Sequence, residues 1–354
     1  MSNYWSQLAR ELSPYVPGEQ PRMSGLVKLN TNENPFGPSP RALDAVRAAA
    51  DDALRLYPDP QSTALRTALA NYHGVAPEQV FVGNGSDEVL AHAFAALLKQ
   101  NAPLLFPDVT YSFYPVYCGL LGITYQTVPL DAGMRLNIDD YLGQGGAIII
   151  ANPNAPTGIA LTRAQVARLA AERSDVPIVI DEAYVDFGAE TAVPLIRDYP
   201  NLLIVQTMSK SRSLAGLRVG YAVGDAGLIA ALTRVKDSFN SYPLGRPAQA
   251  GAIAALEDEA YFQQTRSAIM RNRGILTGLL AQLGFEVLPS SANFVFARHP
   301  DYSGEALCAG LRERAVLVRH FAGSRVADFI RITIGSEAEI GRLEGALTQF
   351  LAEG

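Results

Sequence analysis

The sequence has few cysteines, few lysines and no long apolar run. Its two cysteines, Cys118 and Cys308, stand far apart in a chain of 354 residues and have no metal-type spacing. A disulfide framework is therefore not expected, and a reducing, cytoplasmic environment fits. No stretch approaches the length of a membrane span, and the polar-interrupted N-terminus lacks the apolar core of a signal peptide. The net charge of −6 argues against a nucleic-acid binder, which needs a basic face.

Lysine occurs at four positions only, namely Lys28, Lys99, Lys210 and Lys236. Lys99 and Lys236 lie in helical stretches and are predicted to be surface residues, whereas Lys28 lies in a short strand near the N-terminus. Lys210 alone follows a central-type strand. Its neighbours Ser209 and Arg218 are suited to binding a phosphate. A single lysine is usually a solvated side chain. Because lysine is scarce in this chain and Ser209 and Arg218 lie near Lys210 in sequence, Lys210 is the candidate catalytic residue.

Short apolar runs alternate with Ala/Leu-rich stretches of helical spacing. The predicted strands are Gln79–Gly83, Pro103–Phe106, Ile123–Val128, Ala147–Ala151, Pro177–Asp181, Leu202–Thr207 and Val219–Val223. The predicted helices include Pro40–Leu56, Ser62–Tyr72, Ser86–Gln100 and Thr162–Glu172. Continuous apolar strands such as AIIIA indicate burial on both faces, and hence an α/β fold with a mainly parallel seven-stranded sheet covered by helices.

The pattern of alternating strand-like and helical segments changes after about Pro247. A long helical region, Ala248–Leu283, precedes three strand-like pieces, FEVLPSSANFVFAR, AVLVRHF and FIRITIG. These features predict a smaller α+β domain over residues 247–354. The large domain would then span residues 28–246, and residues 1–27 would form an N-terminal arm.

Unusual polar residues follow several of the predicted strands, where ligands collect in open α/β sheets. The turn GNGSDE places Ser86 and Asp87 at a helix start, which favours an anion, although an ordinary helix cap is the simpler interpretation of this turn alone. Glu88 stands where a dinucleotide fingerprint needs its third glycine, which disfavours a nicotinamide dehydrogenase.

Asp181 ends a buried-type strand and Tyr184 follows it, so both can face one crevice. A protonated pyridine nitrogen would supply the partner that a buried carboxylate requires.

Two arginines, Arg319 and Arg331, lie on strand-like runs near the end of the chain. If they converge on a pocket, they would clamp carboxylate or phosphate groups. Edge-strand arginines facing solvent are the alternative interpretation. The segment alone does not decide between the two.

Taken in order, these segments resemble the fold-type I pyridoxal-phosphate aminotransferases, and most closely the histidinol-phosphate aminotransferase family. The resemblance covers nearly the whole chain. It rests on LNTNENPFGPSP, LYPDPQ, GNGSDE, TYSFY, NPNAPTG, DEAYVDF, TMSKSRSLAGLRVGY and VRHF…FIRITIG. Each piece alone is a weak signal, but their joint occurrence in this order is highly specific.

The resemblance implies pyridoxal 5′-phosphate as the cofactor, carried as a Schiff base by Lys210, which then shuttles protons. Asp181 would pair with the pyridine nitrogen and Tyr184 would hydrogen-bond the ring 3′ oxygen. Tyr111 would stack on the ring face. The family pattern usually has an asparagine before Pro-Thr-Gly that also touches the 3′ oxygen. Here that position is Ala155, so only the adjacent Asn154 remains to substitute for it. The turn before Pro156 is a candidate for a cis peptide bond.

The resemblance also implies how the cofactor phosphate and the substrate are held. The phosphate would lie among Ser86, the backbone N–H of Asp87, Ser209 and Arg218. Tyr57 would reach it from the neighbouring subunit of a homodimer. Arg331 would hold the substrate carboxylate, while Arg319 and Tyr15 would favour a phosphate-bearing substrate. The implied reaction is amino transfer between histidinol phosphate and 2-oxoglutarate in histidine biosynthesis, with small-molecule partners and neither nucleic acid nor membrane.

Two further activities on the same fold stay open on the sequence. One is an aromatic amino-acid aminotransferase, because TYSFYPVY offers a tyrosine-rich wall. The other is a threonine-phosphate decarboxylase-like lyase, which shares most of the cofactor residues. A non-catalytic regulator of this fold is disfavoured, since the fold occupies essentially all of the chain and leaves no room for a basic DNA-binding unit.

Overall fold

A seven-stranded sheet forms the centre of the protein in the computed structural model, which describes residues 3–21, 24–143 and 145–353. In spatial order the strands are β2 (Val80–Asn84), β8 (Val219–Gly224), β7 (Leu202–Thr207), β6 (Ile178–Asp181), β5 (Ile148–Ala151), β3 (Leu104–Pro107) and β4 (Tyr125–Val128). Neighbouring strands are parallel except at β8, which runs antiparallel to both β2 and β7. The predicted mainly parallel seven-stranded sheet is thus confirmed.

The strands fall within two residues of their predicted bounds, and in the central strands this is because continuous apolar runs need burial on both faces of a sheet. Every residue of β5, β6, β7 and β8 is buried. One apolar cluster packs helices against one face of the sheet, with Leu65, Val166 and Ala252 among its members. A second cluster covers the other face, with Val89, Tyr117 and Leu232 among its members.

Eleven α-helices lie within the described ranges. They are α1 (Gln7–Glu11), α2 (Pro40–Ala48), α3 (Thr63–His73), α4 (Gly85–Ala93), α5 (Tyr114–Leu121), α6 (Arg163–Glu172), α7 (Ala226–Asp237), α8 (Arg246–Glu257), α9 (Glu259–Gln282), α10 (Gly304–Glu313) and α11 (Glu337–Glu353). α6 begins as predicted because Thr162 and Gln165 form a capping box at its start.

Three predicted helices are interrupted. The predicted helix Pro40–Leu56 ends at Ala48, and Asp51 then caps a separate 3-10 turn, Asp52–Arg55, by accepting a hydrogen bond from Ala53 N. In the predicted helix Ser86–Gln100, the α-helical part gives way to a π-helical turn at Phe94–Leu98. The predicted region Ala248–Leu283 is two helices that break at Asp258. Apolar periodicity runs across such breaks, so it does not reveal them.

The C-terminal part of the chain builds a smaller sheet in the order β12 (Arg319–His320), β13 (Phe329–Thr333), β10 (Phe294–Arg298) and β9 (Glu286–Val287). A second, two-stranded ladder joins β1 (Val27–Lys28) in parallel to β11 (Val316–Leu317). The segment that directly follows the predicted N-terminal arm therefore pairs with a strand from the C-terminal part of the chain. The domain boundaries at residues 27 and 246 remain a prediction.

Lys236 is buried, so the prediction that it lies on the surface is wrong. It belongs to α7, and its ammonium group donates to the carbonyl oxygens of Pro60 and Ser241 and pairs with Asp237 at 2.6 Å. Helical periodicity does not reveal that a loop folds back over this end of α7. Lys99 is exposed, as predicted. None of the helices that the structure describes is both long and apolar enough to cross a membrane.

Candidate active site

A cavity of about 350 Å³ opens at the carboxyl ends of β5, β6 and β7. Eleven of the thirteen site residues predicted from the sequence line it: Tyr15, Ser86, Asp87, Tyr111, Asp181, Tyr184, Ser209, Lys210, Arg218, Arg319 and Arg331. Strand ends of the large sheet, the N-terminal arm and the small C-terminal sheet all contribute to its wall. The structure thus brings together residues that are more than 300 positions apart in the chain.

Lys210 lies in the turn that follows β7, and its amine faces the cavity. Lys210 Nζ donates to the carbonyl oxygen of Thr31 at 3.2 Å and lies 5.9 Å from the centre of the Tyr184 ring. The turn itself is held by Asn34, whose Nδ2 donates to the carbonyl oxygen of Lys210 at 3.0 Å. Because its backbone is fixed while the amine has only one carbonyl partner among the described residues, Lys210 can reach a group bound in the cavity.

Asp181 ends β6 and is 5% exposed. Its Oδ2 accepts a hydrogen bond from the Tyr114 hydroxyl at 2.9 Å, and its Oδ1 accepts one from the backbone N–H of Ala183 at 3.3 Å. Burial raises the pKa of Asp181 to about 6, while these two hydrogen bonds act to lower it. A buried carboxylate without a cationic partner is costly, so this side chain is suited to a cationic ligand atom.

Tyr184 stands beside Asp181 in the cavity wall, and its hydroxyl accepts a hydrogen bond from Asn32 Nδ2 at 2.9 Å. Its ring packs edge-on against Phe294. Asn32 is itself fixed, since its backbone N–H donates to Thr333 Oγ1 and its carbonyl oxygen accepts from Asn293. The Tyr184 hydroxyl therefore holds a set position from which it can donate to an oxygen of a ligand.

An anion cradle lies at the start of α4. Gly85 adopts a φ of +77°, in the left-handed region that favours glycine, and a Cβ on it would press against the guanidinium group of Arg218. Arg218 Nη2 pairs with Asp87 Oδ2 at 2.8 Å, and Tyr111 donates to the other carboxylate oxygen of Asp87 at 3.1 Å. Ser209 Oγ accepts from Thr207 Oγ1 at 3.0 Å. Helix N–H groups, hydroxyls and a guanidinium group together suit a phosphate.

The two arginines converge on the far side of the cavity. Arg331 Nη2 donates to the carbonyl oxygen of Asn30 at 3.0 Å, while its buried Nε has no hydrogen-bond partner among the described residues. Burial lowers the pKa of Arg331. Arg319 Nη2 donates to the carbonyl oxygen of Val16 on the N-terminal arm at 3.1 Å. Phe321 lies against both guanidinium groups, 5.7 Å from that of Arg319 and 5.4 Å from that of Arg331. Both arginines keep donors for anions of a ligand.

Two predicted site residues do not line the cavity. Asn154 is buried in the preceding loop, where its Nδ2 donates to the carbonyl oxygen of Val109 and to Thr157, and its Oδ1 accepts from Thr110. All the polar atoms of this side chain thus serve the loop, and the expected substitution for the missing asparagine has no geometric support. The Ala155–Pro156 peptide bond is cis, as the sequence had suggested. Tyr57 is 78% exposed and stacks on Tyr242, away from the cavity of its own chain.

Sequence reasoning did not single out several residues that contact the predicted site residues, among them Thr31, Asn32 and Tyr114. Thr31 and Asn32 contact Lys210 and Tyr184, and Tyr114 contacts Asp181. The first two belong to LNTNENP, whose concentration of asparagines near the start of the chain was a usable signal for a fixed polar loop. Tyr114 lies in the TYSFY segment, where its ring was expected only to contribute to an aromatic wall.

Comparison with known proteins places the chain in a large family. The family model "Aminotransferase class I and II" matches residues 24–347. Histidinol-phosphate aminotransferase 2 of Rhizobium meliloti is 63% identical over 351 residues, which are 99% of this chain and 100% of the relative. Histidinol-phosphate aminotransferase 1 of Bradyrhizobium diazoefficiens is also 63% identical, over 99% of this chain and 100% of the relative. The crystal structure of histidinol-phosphate aminotransferase from Sinorhizobium meliloti, in complex with pyridoxal 5′-phosphate, superposes with a TM-score of 0.89 at 26% identity over 100% of this chain and 99% of the other.

Proposed function

The chain belongs to the aminotransferase class I and II family, and we propose that it transfers an amino group between histidinol phosphate and 2-oxoglutarate, with pyridoxal 5′-phosphate as its cofactor. One observation carries this proposal: Lys210, Asp181 and Tyr184 share a single cavity with the arginine pair Arg319 and Arg331. That cavity combines an amine that can carry the cofactor with two cations that can hold an acidic substrate.

The cavity fits pyridoxal phosphate on three counts. Asp181 is a buried carboxylate that has no cationic partner among the described residues, and a pyridinium nitrogen would supply one. The cradle at the start of α4 offers Ser86, Arg218 and backbone N–H groups to a phosphate. Lys210 lines the same cavity as these two sites.

Each residue then has a defined task. Pyridoxal phosphate, when bound, supplies an aldehyde that condenses with amines and a cationic ring that accepts an electron pair. Lys210 carries the cofactor between turnovers and moves a proton to and from the substrate Cα as general base and acid. Asp181 would hold the ring nitrogen in its protonated form, Tyr184 would donate to the ring 3′ oxygen, and Tyr111 would contact the ring.

Substrate selection rests on charge. Arg331 binds the α-carboxylate of the amino acid or oxo acid, and Arg319 together with Tyr15 favours the phosphomonoester of histidinol phosphate. Two guanidinium groups bridged by Phe321 give one site the means to accept two dissimilar anions. This arrangement supports the proposal that one cavity binds the substrates of both half-reactions, the one with histidinol phosphate and the one with glutamate and 2-oxoglutarate.

The homodimer is part of this proposal. Tyr57 and Tyr242 form an exposed stacked pair with ring centroids 4.8 Å apart, and the carbonyl oxygen of Tyr57 accepts from Arg246 at 2.9 Å. Large aromatic side chains held together at a surface are typical of protein interfaces. In a dimer Tyr57 would contact the cofactor phosphate of the neighbouring subunit.

An aromatic amino-acid aminotransferase is the second candidate. The rings of Tyr15, Tyr111 and Phe113 lie close together beside the cavity, with Tyr15 and Phe113 centroids 5.0 Å apart. Formation of glutamate from 2-oxoglutarate, measured side by side with histidinol phosphate, phenylalanine and tyrosine as donors, tests the proposal. We expect histidinol phosphate to be the preferred donor by kcat/KM. A preference for phenylalanine or tyrosine would contradict the proposed substrate, and no glutamate from any donor would contradict the reaction itself.

A further inference from the structure

Tyr114 contacts the carboxylate that faces the cofactor ring, yet it does not line the cavity. It is the first residue of α5, it is fully buried, and its hydroxyl donates to Asp181 Oδ2 at 2.9 Å. The bond joins the helix layer behind the sheet to the end of β6. Such a bond has a buried charge as its acceptor, which makes it stronger than a bond between neutral groups.

The ring of Tyr114 is held on several sides. Its centroid lies 6.0 Å from that of Phe94, 5.9 Å from that of Phe106 and 5.6 Å from that of Tyr111, the last in an edge-on arrangement. These contacts hold the ring in the orientation in which its hydroxyl donates to Asp181. Removal of the oxygen alone would leave this packing in place.

The groups around Asp181 act in opposite directions on its charge. Burial raises the pKa of Asp181 to about 6, the hydrogen bonds from Tyr114 and from the Ala183 N–H lower it, and the nearby Asp87 raises it. Burial also raises the pKa of Tyr114 well above its ordinary value, so its hydroxyl keeps its proton and remains a donor. Among the described residues, Tyr114 thus provides the one side-chain hydrogen bond that favours the ionised form of this carboxylate.

We propose that Tyr114 is a positioning residue that keeps Asp181 ionised, so that the proton shared between this carboxylate and the cofactor ring resides on the ring nitrogen. This inference rests on the proposed use of pyridoxal phosphate. A carboxylate and a pyridine nitrogen compete for one proton, and a hydrogen bond donated to the carboxylate makes it the weaker base. Without that bond the proton moves toward Asp181, and the ring loses part of its capacity to accept electrons.

The test is the location of that proton in the holoenzyme. The protein is reconstituted with pyridoxal 5′-phosphate labelled with nitrogen-15 in the ring, and the nitrogen chemical shift is followed over pH. In the unaltered protein we expect the shift of a protonated ring nitrogen. In Tyr114→Phe the shift should move toward the unprotonated value, because the form with the proton on Asp181 gains about 10- to 100-fold over the form with the proton on the ring nitrogen, the size expected for one hydrogen bond to a charged group.

Two control variants give the reference values for the measurement, and a third replaces Tyr114→Phe if that variant does not fold. Tyr141→Phe removes another buried tyrosine hydroxyl, one without a hydrogen-bond partner among the described residues, and should leave the nitrogen signal unchanged. Asp181→Asn should give an unprotonated ring nitrogen and marks the other end of the scale. If Tyr114→Phe does not fold, as judged by circular dichroism, Tyr114→His keeps a ring and an N–H donor and should stay near the unaltered signal.

The outcomes separate this inference from the proposed function. An identical nitrogen shift in Tyr114→Phe and in the unaltered protein overturns the role of Tyr114, as does an unprotonated ring in a folded Tyr114→His variant. Failure of the unaltered protein to bind pyridoxal phosphate would instead overturn the proposed function. A shift that moves equally in Tyr141→Phe would reflect loosened packing and would also count against Tyr114.

Discussion

The substitution Arg319→Ala tests the proposed division of labour between the two arginines. The guanidinium group of Arg319 makes one side-chain hydrogen bond in the described part of the chain, to the carbonyl oxygen of Val16, and its remaining donors are free to bind a ligand. Arg331 has a buried Nε that has no hydrogen-bond partner in the part of the chain that the structure describes. If the phosphomonoester depends on Arg319 and the α-carboxylate on Arg331, the alanine substitution should affect one donor more than the other.

The size of the effect follows from the bonds lost. A hydrogen bond between charged groups contributes about 1.5–3 kcal/mol, and a factor of ten in rate corresponds to about 1.4 kcal/mol. We therefore expect kcat/KM for histidinol phosphate to fall about 10- to 150-fold in Arg319→Ala, since at least one such bond is removed. The glutamate half-reaction should fall much less.

The assay is half-reaction spectroscopy of the bound cofactor with each amino donor in turn. Arg331→Ala is the comparison and should impair glutamate more than histidinol phosphate, which has no α-carboxylate to bind. Arg298→Ala, an exposed arginine that pairs with Glu286, is the surface control and should impair neither. Equal losses with glutamate and histidinol phosphate in Arg319→Ala would refute the phosphate-selecting role of this residue.

Three other predictions concern the interface, the site charge and a buried lysine. If Tyr57 completes the neighbouring site, mixing inactive Tyr57→Ala and Lys210→Ala subunits should restore activity, because one site of the mixed dimer is intact; no recovery despite subunit exchange would contradict it. Asp181 has a pKa of about 6 against an ordinary value of 3.8. In the cofactor-free protein its ionisation therefore costs stability above pH 6, and Asp181→Asn should raise the free energy of unfolding there by about 2–3 kcal/mol, a gain that disappears below about pH 4. Lys236→Met leaves two carbonyl groups without a donor and should lower the free energy of unfolding in urea by about 1–3 kcal/mol, whereas the exposed Lys99→Met should change it by about 0.5 kcal/mol or less.

The central strands of the large sheet were predictable because their burial on both faces demands continuous apolar runs. Strand ends in turn pointed to Asp181 and Lys210, since polar residues directly after a buried strand must lie at one edge of the sheet. Both side chains line the cavity. For Arg319 and Arg331 the same reasoning left two alternatives, convergence on a pocket or exposure to solvent at a sheet edge. In the structure both side chains line the cavity, which favours the first alternative.

Side-chain direction and loop packing were beyond the reach of the sequence. Asn154 was expected to replace a missing asparagine, but its polar atoms are bound within the loop. Lys236 has a helical neighbourhood typical of a surface residue and is buried by a distant loop around Pro60. In the sequence, Tyr114 is one of several aromatic residues in a short segment. Its contact with Asp181, 67 positions away, forms only because α5 packs against the end of β6.

The most direct test of the account is chemical trapping of the cofactor. Borohydride reduction of the holoenzyme fixes pyridoxal phosphate to the amine that carries it, and peptide mass spectrometry then identifies the modified residue. The chain offers four lysines, Lys28, Lys99, Lys210 and Lys236, so the result is unambiguous. The account predicts a phosphopyridoxyl group on Lys210, and none on Lys210→Ala. Stoichiometric label on any other lysine, or its persistence in Lys210→Ala, would contradict it.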